Sequence, residues 1–221
     1  MQVEICASTY QSAVNAQKGG AHRIELCEDL WVGGVTPKRD LIIQVVKDIA
    51  IPINILIRPR RGDFVYSEKE FEKMLLDIEY CRSLGCNGIV SGVLKSDKSI
   101  DIQRTRQLIE SSKPMKFTFH RAFDQTSNAF EALEDLLQLG VDRVLTSGQA
   151  MTAIEGIHAL KQLKNRANGK LDIVVGGSIR ASNVLEFKKE GFKEVHSSAL
   201  LNDNEHSDLH EIKKLVSLIK D

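Results

Sequence analysis

No apolar run in this chain approaches the ~20 residues that a bilayer span requires. A membrane role through a transmembrane helix is therefore excluded. Neither sign of charge is in excess, because 30 Lys and Arg balance 30 Asp and Glu. The basic surplus or stripe of a nucleic-acid or anionic-membrane binder is missing, so no nucleic-acid and no membrane partner is expected. The four cysteines, Cys6, Cys27, Cys81 and Cys86, lack the spacing of a disulfide framework. In a reducing compartment they are thiols, metal ligands or core residues. With four prolines and no low-complexity tract or charge block, nothing divides the 221 residues. A single domain over 1–221 is expected. The first segment carries Glu4 and reads as a strand, not as the apolar stretch of a secretory leader, so a cytoplasmic location is expected.

Hydrophobic residues make up 42% of the chain, enough for a substantial core. Strand signals recur at roughly 2–6, 23–27, 53–58, 88–92, 116–120, 143–147, 172–176 and 194–198. An amphipathic helical stretch follows each. The first starts at the caps Ser8 and Thr9, the second behind Pro37, and the third at Ser67 with Glu70 in capping-box spacing. Later helices are expected at about 100–111, 127–138, 150–166, 182–189 and 207–219. Strand and helix in alternation with short turns means parallel βαβ units. Eight such units close most economically into a (β/α)8 TIM barrel of the α/β class. The alternative, an open doubly wound sheet, usually carries a G-x-G-x-x-G turn after its first strand. Here that strand runs into Cys6-Ala7-Ser8-Thr9.

Parity along the strands then separates two faces. The helices require apolar partners, so Val3, Ile5, Ile24, Leu26, Ile53, Ile55, Ile57, Phe117 and Phe119 face outward. The lumen receives Glu4, Cys6, Glu25, Cys27, Asn54, Leu56, Arg58, Thr118, His120, His196 and Ser198. Of these, Cys6, Cys27, Arg58 and His120 end their strands, at the face where barrel enzymes place their chemistry. Buried charges also pair without doing chemistry, and Glu4 and Glu25 have Arg58 or Arg143 as candidate partners. So many convergent polar groups at one mouth would nonetheless be a costly way to fill a core.

Cys6 and Cys27 end neighbouring strands about 4.8 Å apart. They suit a soft ion such as Cu(I), a redox disulfide, or simple core packing. At the seventh strand the turn Gly176-Gly177-Ser178, with His196 on the eighth, offers backbone N–H groups to an anion, and Arg58, Arg60, Asp124 and Ser147 can add contacts. Trp31 sits in a long loop after the second strand, where it caps the mouth, packs locally or docks a partner.

Several segments resemble the CutC family, known as copper homeostasis proteins. They are Glu4-Ile5-Cys6, Gly19-Gly20-Ala21-His22-Arg23-Ile24-Glu25-Leu26-Cys27, Gly33-Gly34-Val35-Thr36-Pro37, Ile57-Arg58-Pro59-Arg60 with Gly62-Asp63-Phe64, Thr118-Phe119-His120-Arg121-Ala122-Phe123-Asp124 and Arg143-Val144-Leu145-Thr146-Ser147-Gly148. The resemblance covers nearly the whole chain, although the glycine turn after the seventh strand is shorter than is usual in the family. It implies a cytoplasmic TIM barrel, often a homodimer, that handles copper(I) through Cys6 and Cys27. Strand parity supports a different function, an enzyme acting on a small anionic metabolite such as a phosphorylated one. Arg58 and Arg60 would then hold the anion, and Glu25 or His120 would act as general acid or base if the barrel moves its pKa toward neutrality.

Overall fold

The computed structural model describes residues 1–201 and 204–220. Eight parallel strands close into a barrel in chain order, β1 to β8. They are β1 (Gln2–Ala7), β2 (Arg23–Leu26), β3 (Ile53–Leu56), β4 (Gly88–Ser91), β5 (Lys116–Phe119), β6 (Arg143–Thr146), β7 (Asp172–Val175) and β8 (Glu194–Ser197). The ring closes where β8 pairs with β1, Glu4 lying opposite His196. Among the described residues eight α-helices surround it: α1 (Tyr10–Lys18), α2 (Arg39–Asp48), α3 (Glu68–Ser83), α4 (Ile102–Ser112), α5 (Ala129–Leu139), α6 (Ile157–Ala167), α7 (Val184–Lys189) and α8 (Leu209–Ile219). The TIM-barrel expectation is met, and no helix among the described residues is long and apolar enough to cross a membrane.

The helix starts follow local chemistry. Thr9 caps α1, Asp101 caps α4, Asn128 caps α5 and Asp208 caps α8, each accepting a bond from a first-turn N–H. Ser67 and Glu70 form the expected reciprocal capping box of α3. The helix expected from residue 150 starts only at Ile157. The preceding segment is drawn toward the end of β7, where the Ala153 N–H donates to the Gly177 carbonyl. That bond competes with helical pairing and fixes the Gly177 turn.

Outward residues Val3, Ile5, Ile24, Leu26, Ile53, Ile55, Ile57, Phe117 and Phe119 all join the main core between strands and helices. Each such buried side chain contributes about 1.5–3 kcal/mol. A second, smaller apolar cluster sits in the lumen and consists of Cys6, Cys27, Leu56 and Val90. Below it lies a charged layer. The Arg23 Nε donates to Glu4 Oε2 at 2.5 Å, and Arg23 Nη2 donates to Glu194 at 2.5 Å. Arg143 approaches Glu194 at 3.3 Å, and the Asn54 amide donates to Glu4 at 3.0 Å. The partner of Glu4 is thus Arg23, not Arg58 or Arg143. Arg23 shares its parity with Glu25, so the alternation that placed Glu25 in the lumen also places Arg23 there.

Candidate functional site

Above the apolar cluster, at the C-terminal ends of the strands, the barrel opens into a cavity of about 300 Å³. Its wall includes Cys6, Glu25, Leu56, Arg58, His120 and His196 from the strand ends, together with Arg121, Gly177, Ser178, Arg180 and Ser198 from the turns above them. The strands bring together side chains that are far apart in sequence. Cys6 lies opposite Glu25 across β1 and β2.

Glu25 is the central group. Its residue is 4% exposed, and its Oε2 has no hydrogen-bond partner among the described residues. The Cys6 thiol donates to Oε1 over 3.9 Å. Burial pushes the Glu25 carboxyl up to about 7; His196 and Arg23 oppose the rise and Glu4 adds to it. His196 places Nδ1 2.7 Å from Glu4 Oε1. Burial disfavours the imidazolium there, but the charges of Glu25 and Glu4 outweigh it and raise the His196 pKa. Glu4 itself is held well below the usual carboxylate range. Its burial acts the other way, and Arg23 and His196 overcome it.

His120 behaves differently from the expectation of a group tuned toward neutrality. Burial and the nearby Arg58 charge push it down to about 3, so the ring is neutral at physiological pH. Its Nδ1 accepts from the Ala122 N–H at 3.2 Å. The proton therefore sits on Nε2, which has no partner among the described residues. His120 is a neutral hydrogen-bond donor, packed 4.8 Å from the Phe64 ring, and not a proton carrier. Gly92 makes room for it, since a Cβ there would lie 2.8 Å from the imidazole.

The cations divide into free and spent charges. Arg58 is buried, and its terminal nitrogens donate to the carbonyls of Val32, Gly34 and Gly62 at 2.8–2.9 Å. Carbonyls orient a guanidinium without neutralising it, and among the described residues its Nε has no partner. Arg180 is held by the Ile179 and Leu200 carbonyls and by Ser197 and Ser198 hydroxyls. Among the described residues neither arginine forms a salt bridge. Arg60 does not join the site, because it turns outward to Asp63 and Glu70 at 2.8 and 2.6 Å. Asp124 and Ser147 do not line the central cavity. Asp124 accepts from Arg121, Thr146 and Ser147, which locks the turn after β5 to the end of β6. Gly176 lies behind the wall against Leu145, while Gly177, at φ +109°, reaches the cavity.

The sulfurs of Cys6 and Cys27 are 3.5 Å apart. The contact with Cys27, reinforced by burial, holds the Cys6 thiol well above its ordinary pKa. Cys27 is 0% exposed and does not line the cavity. Trp31 lies in a short turn near the mouth and is 77% exposed. Sequence reasoning missed Arg180 and Arg121 as wall residues, whereas the turn that carries Ser178 was expected there. Strand parity stops at the strand end, and Arg180 stands five residues beyond β7.

Comparison with known proteins places these features in a family. The model of the CutC family matches residues 1–201. A CutC family protein of Parabacteroides distasonis is 46% identical over 200 residues, covering 89% of this chain and 82% of that protein. A mouse protein named copper homeostasis protein cutC homolog is 42% identical over 198 residues, covering 89% of this chain and 73% of its own length. The solved structure of CutC from Streptococcus agalactiae superposes with a TM-score of 0.84 at 32% identity, over 90% of this chain and 98% of that one. Phosphoribosylanthranilate isomerase of Thermotoga maritima superposes at a TM-score of 0.64 with 13% identity, which shows the shared barrel fold alone. With the glycine turns, the Arg58 loop and the His120 segment all lying within the matched span, the chain belongs to the CutC family.

Proposed function

We propose that the barrel mouth binds a small anionic metabolite and that Glu25 exchanges a proton with it. One observation carries this reading. The cavity wall combines a buried carboxyl, protonated near neutrality, with two guanidiniums that form no salt bridge among the described residues, the Glu211 carboxylate acting on Arg180 only through its field. A low-dielectric cleft lined by guanidiniums without a contacting carboxylate attracts an anion. Arg180, Ser178 and Ser198 would take the charged end of the molecule, and Arg58 would act through its field more than through direct bonds. Glu25 would then stand at the reacting end with a pKa near the working pH, where a general acid–base is most effective. His120 would donate a neutral hydrogen bond to a carbonyl or hydroxyl oxygen.

The test uses inorganic phosphate as a probe of the anion subsite. Millimolar phosphate is expected to raise the melting temperature, and Arg180→Met is expected to weaken binding at least tenfold. No stabilisation, or equal stabilisation of the variant, would count against the reading. Proton transfer is read separately, as solvent-deuterium incorporation into small phosphorylated or carboxylated carbonyl compounds. Glu25→Gln is expected to abolish it.

A second reading is favoured by the sulfur pair. Cys6 and Cys27 would bind copper(I) as thiolates, in keeping with the copper homeostasis name of the mouse relative. A linear dithiolate spans ~4.6 Å at ~2.3 Å per bond, so the 3.5 Å pair fits a bent geometry, reached from the Cys6 side. Stoichiometric Cu(I) uptake that is lost in a Cys6→Ser/Cys27→Ser double variant supports it, and unchanged affinity contradicts it. Cytoplasmic location and a homodimer enter as expectations of family membership. Sedimentation at the mass of two chains checks the second.

A further inference from the structure

We propose that Cys6, Glu25 and His196 form a binding site for a borderline divalent cation of the zinc type, which shares the Cys6 sulfur with the dithiolate Cu(I) arrangement and is an alternative to it. A sulfur, a carboxylate oxygen and an imidazole nitrogen from these residues all lie within 4.8 Å of one another. Ligands at 2.0–2.3 Å around a tetrahedral ion stand roughly 3.5 Å apart, so side-chain shifts of about 1 Å close the set. The three residues sit on adjacent strands β2, β1 and β8, which fixes their backbones.

Three further observations point the same way. Glu25 is buried and its Oε2 is unpartnered, the condition of a ligand atom waiting for a cation. His196 has the backing that ligating histidines almost always carry, a carboxylate on the opposite ring nitrogen. Here that carboxylate is Glu4, 2.7 Å from Nδ1 and itself held by Arg23 and Asn54. Nε2 is left as the ligand atom. The fourth side of the set faces the cavity, and three protein ligands with one open position mark a reactive site more than a closed structural one.

The donor set selects the ion. A mixed sulfur, oxygen and nitrogen site suits zinc, cobalt or iron in the divalent state. Calcium and magnesium prefer oxygen alone, and Cu(I) prefers sulfur. Two anionic ligands, the Cys6 thiolate and the Glu25 carboxylate, balance the double charge. Cys27 has its sulfur 3.5 Å from that of Cys6, but it is fully buried and does not line the cavity through which an ion enters, so it is left out of the set. The inference goes beyond the acid–base reading: with an ion bound Glu25 is a ligand, and proton exchange through its carboxyl belongs to the metal-free protein.

Titration of the metal-free protein with cobalt(II) tests the proposal by absorption. One equivalent is expected to produce a thiolate-to-cobalt charge-transfer band with visible tetrahedral bands, bleached by zinc. Cys6→Ser should lose the charge-transfer band, and Glu25→Gln and His196→Ala should weaken binding at least tenfold. Glu4→Gln, a milder change, should weaken it 10–100-fold through the loss of its hold on His196. Cys27→Ser should bind as the parent does. Circular dichroism of each variant separates loss of a ligand from loss of fold. Absence of the band in the folded parent, its survival in Cys6→Ser, or its loss in folded Cys27→Ser would overturn the site. Such a failure leaves the phosphate titration of the metal-free protein unaffected, so the anion subsite stands or falls by its own measurement.

Discussion

Glu25 shows how one residue's surroundings set its chemistry. Nothing in the residue itself distinguishes it from the other glutamates. Burial in the lumen moves its carboxyl from its ordinary 4.5 to about 7, a gap of about 3 kcal/mol. Between those values the folded protein keeps a proton that the unfolded chain has lost. Stability therefore falls as pH rises through that window. His196, also raised, acts in the same direction. Its contribution is full below the ordinary histidine pKa and is lost as pH rises through the folded value. Glu4 acts oppositely, because its lowered pKa contributes stability above pH 4.5 that is lost on acidification. Urea unfolding across pH 4–9 should therefore show a maximum on the acid side of neutrality. Glu25→Gln should flatten the decline between pH 4.5 and 7 and exceed the parent by up to about 3 kcal/mol above pH 7. An unchanged decline in the variant would assign the slope to other groups. Parity along β2 was enough to place Glu25 in the lumen. The direction of the His120 shift was not legible, because it depends on Arg58 and on burial that only the closed barrel creates.

At the scale of elements, strand identity was legible from alternation and helix starts from capping residues, because both are encoded within a few neighbours. Contacts between elements were less so. The late start of α6 follows from a bond between Ala153 and Gly177, which belong to successive units. The saturation of Arg60 by Glu70 likewise joins a loop to the first turn of α3. Close approach explains one glycine within a strand. A Cβ on Gly88 in β4 would lie 2.3 Å from Asn54 Oδ1 and 3.1 Å from the Lys116 carbonyl. Gly88→Ala is expected to cost about 1–3 kcal/mol by overpacking and to disturb the Asn54 bond to Glu4. Urea unfolding measures this, and a neutral result would mean that the lumen layer yields more freely than its packing implies.

Across the whole molecule the lumen is built in layers, charged at the base, apolar in the middle and polar at the mouth. The base ties β1, β2 and β8 through Arg23, Glu4 and Glu194, with β6 joining through Arg143. Removing the shared cation leaves two buried carboxylates with less compensation. Arg23→Met is expected to cost about 3–5 kcal/mol in urea unfolding. A loss below 1 kcal/mol would show that the network reorganises around Arg143. Barrel closure and family were legible in the chain, since eight repeated units and several long motifs carry them. The composition of the mouth was legible only in part. Arg180 comes from a turn whose path depends on the finished barrel, and the division between free and spent arginines depends on which carbonyls the loops present.

The central claim is that the mouth is a positively charged pocket with a titrating carboxyl at its floor. It is tested most directly by carbon-13 NMR titration of the Glu25 carboxyl, assigned through Glu25→Gln, with and without inorganic phosphate. The account predicts a midpoint near 7 in the free protein, moving higher when phosphate occupies the cavity, since a second negative charge disfavours ionisation. A midpoint near the ordinary 4.5, or one that phosphate does not move, would contradict it.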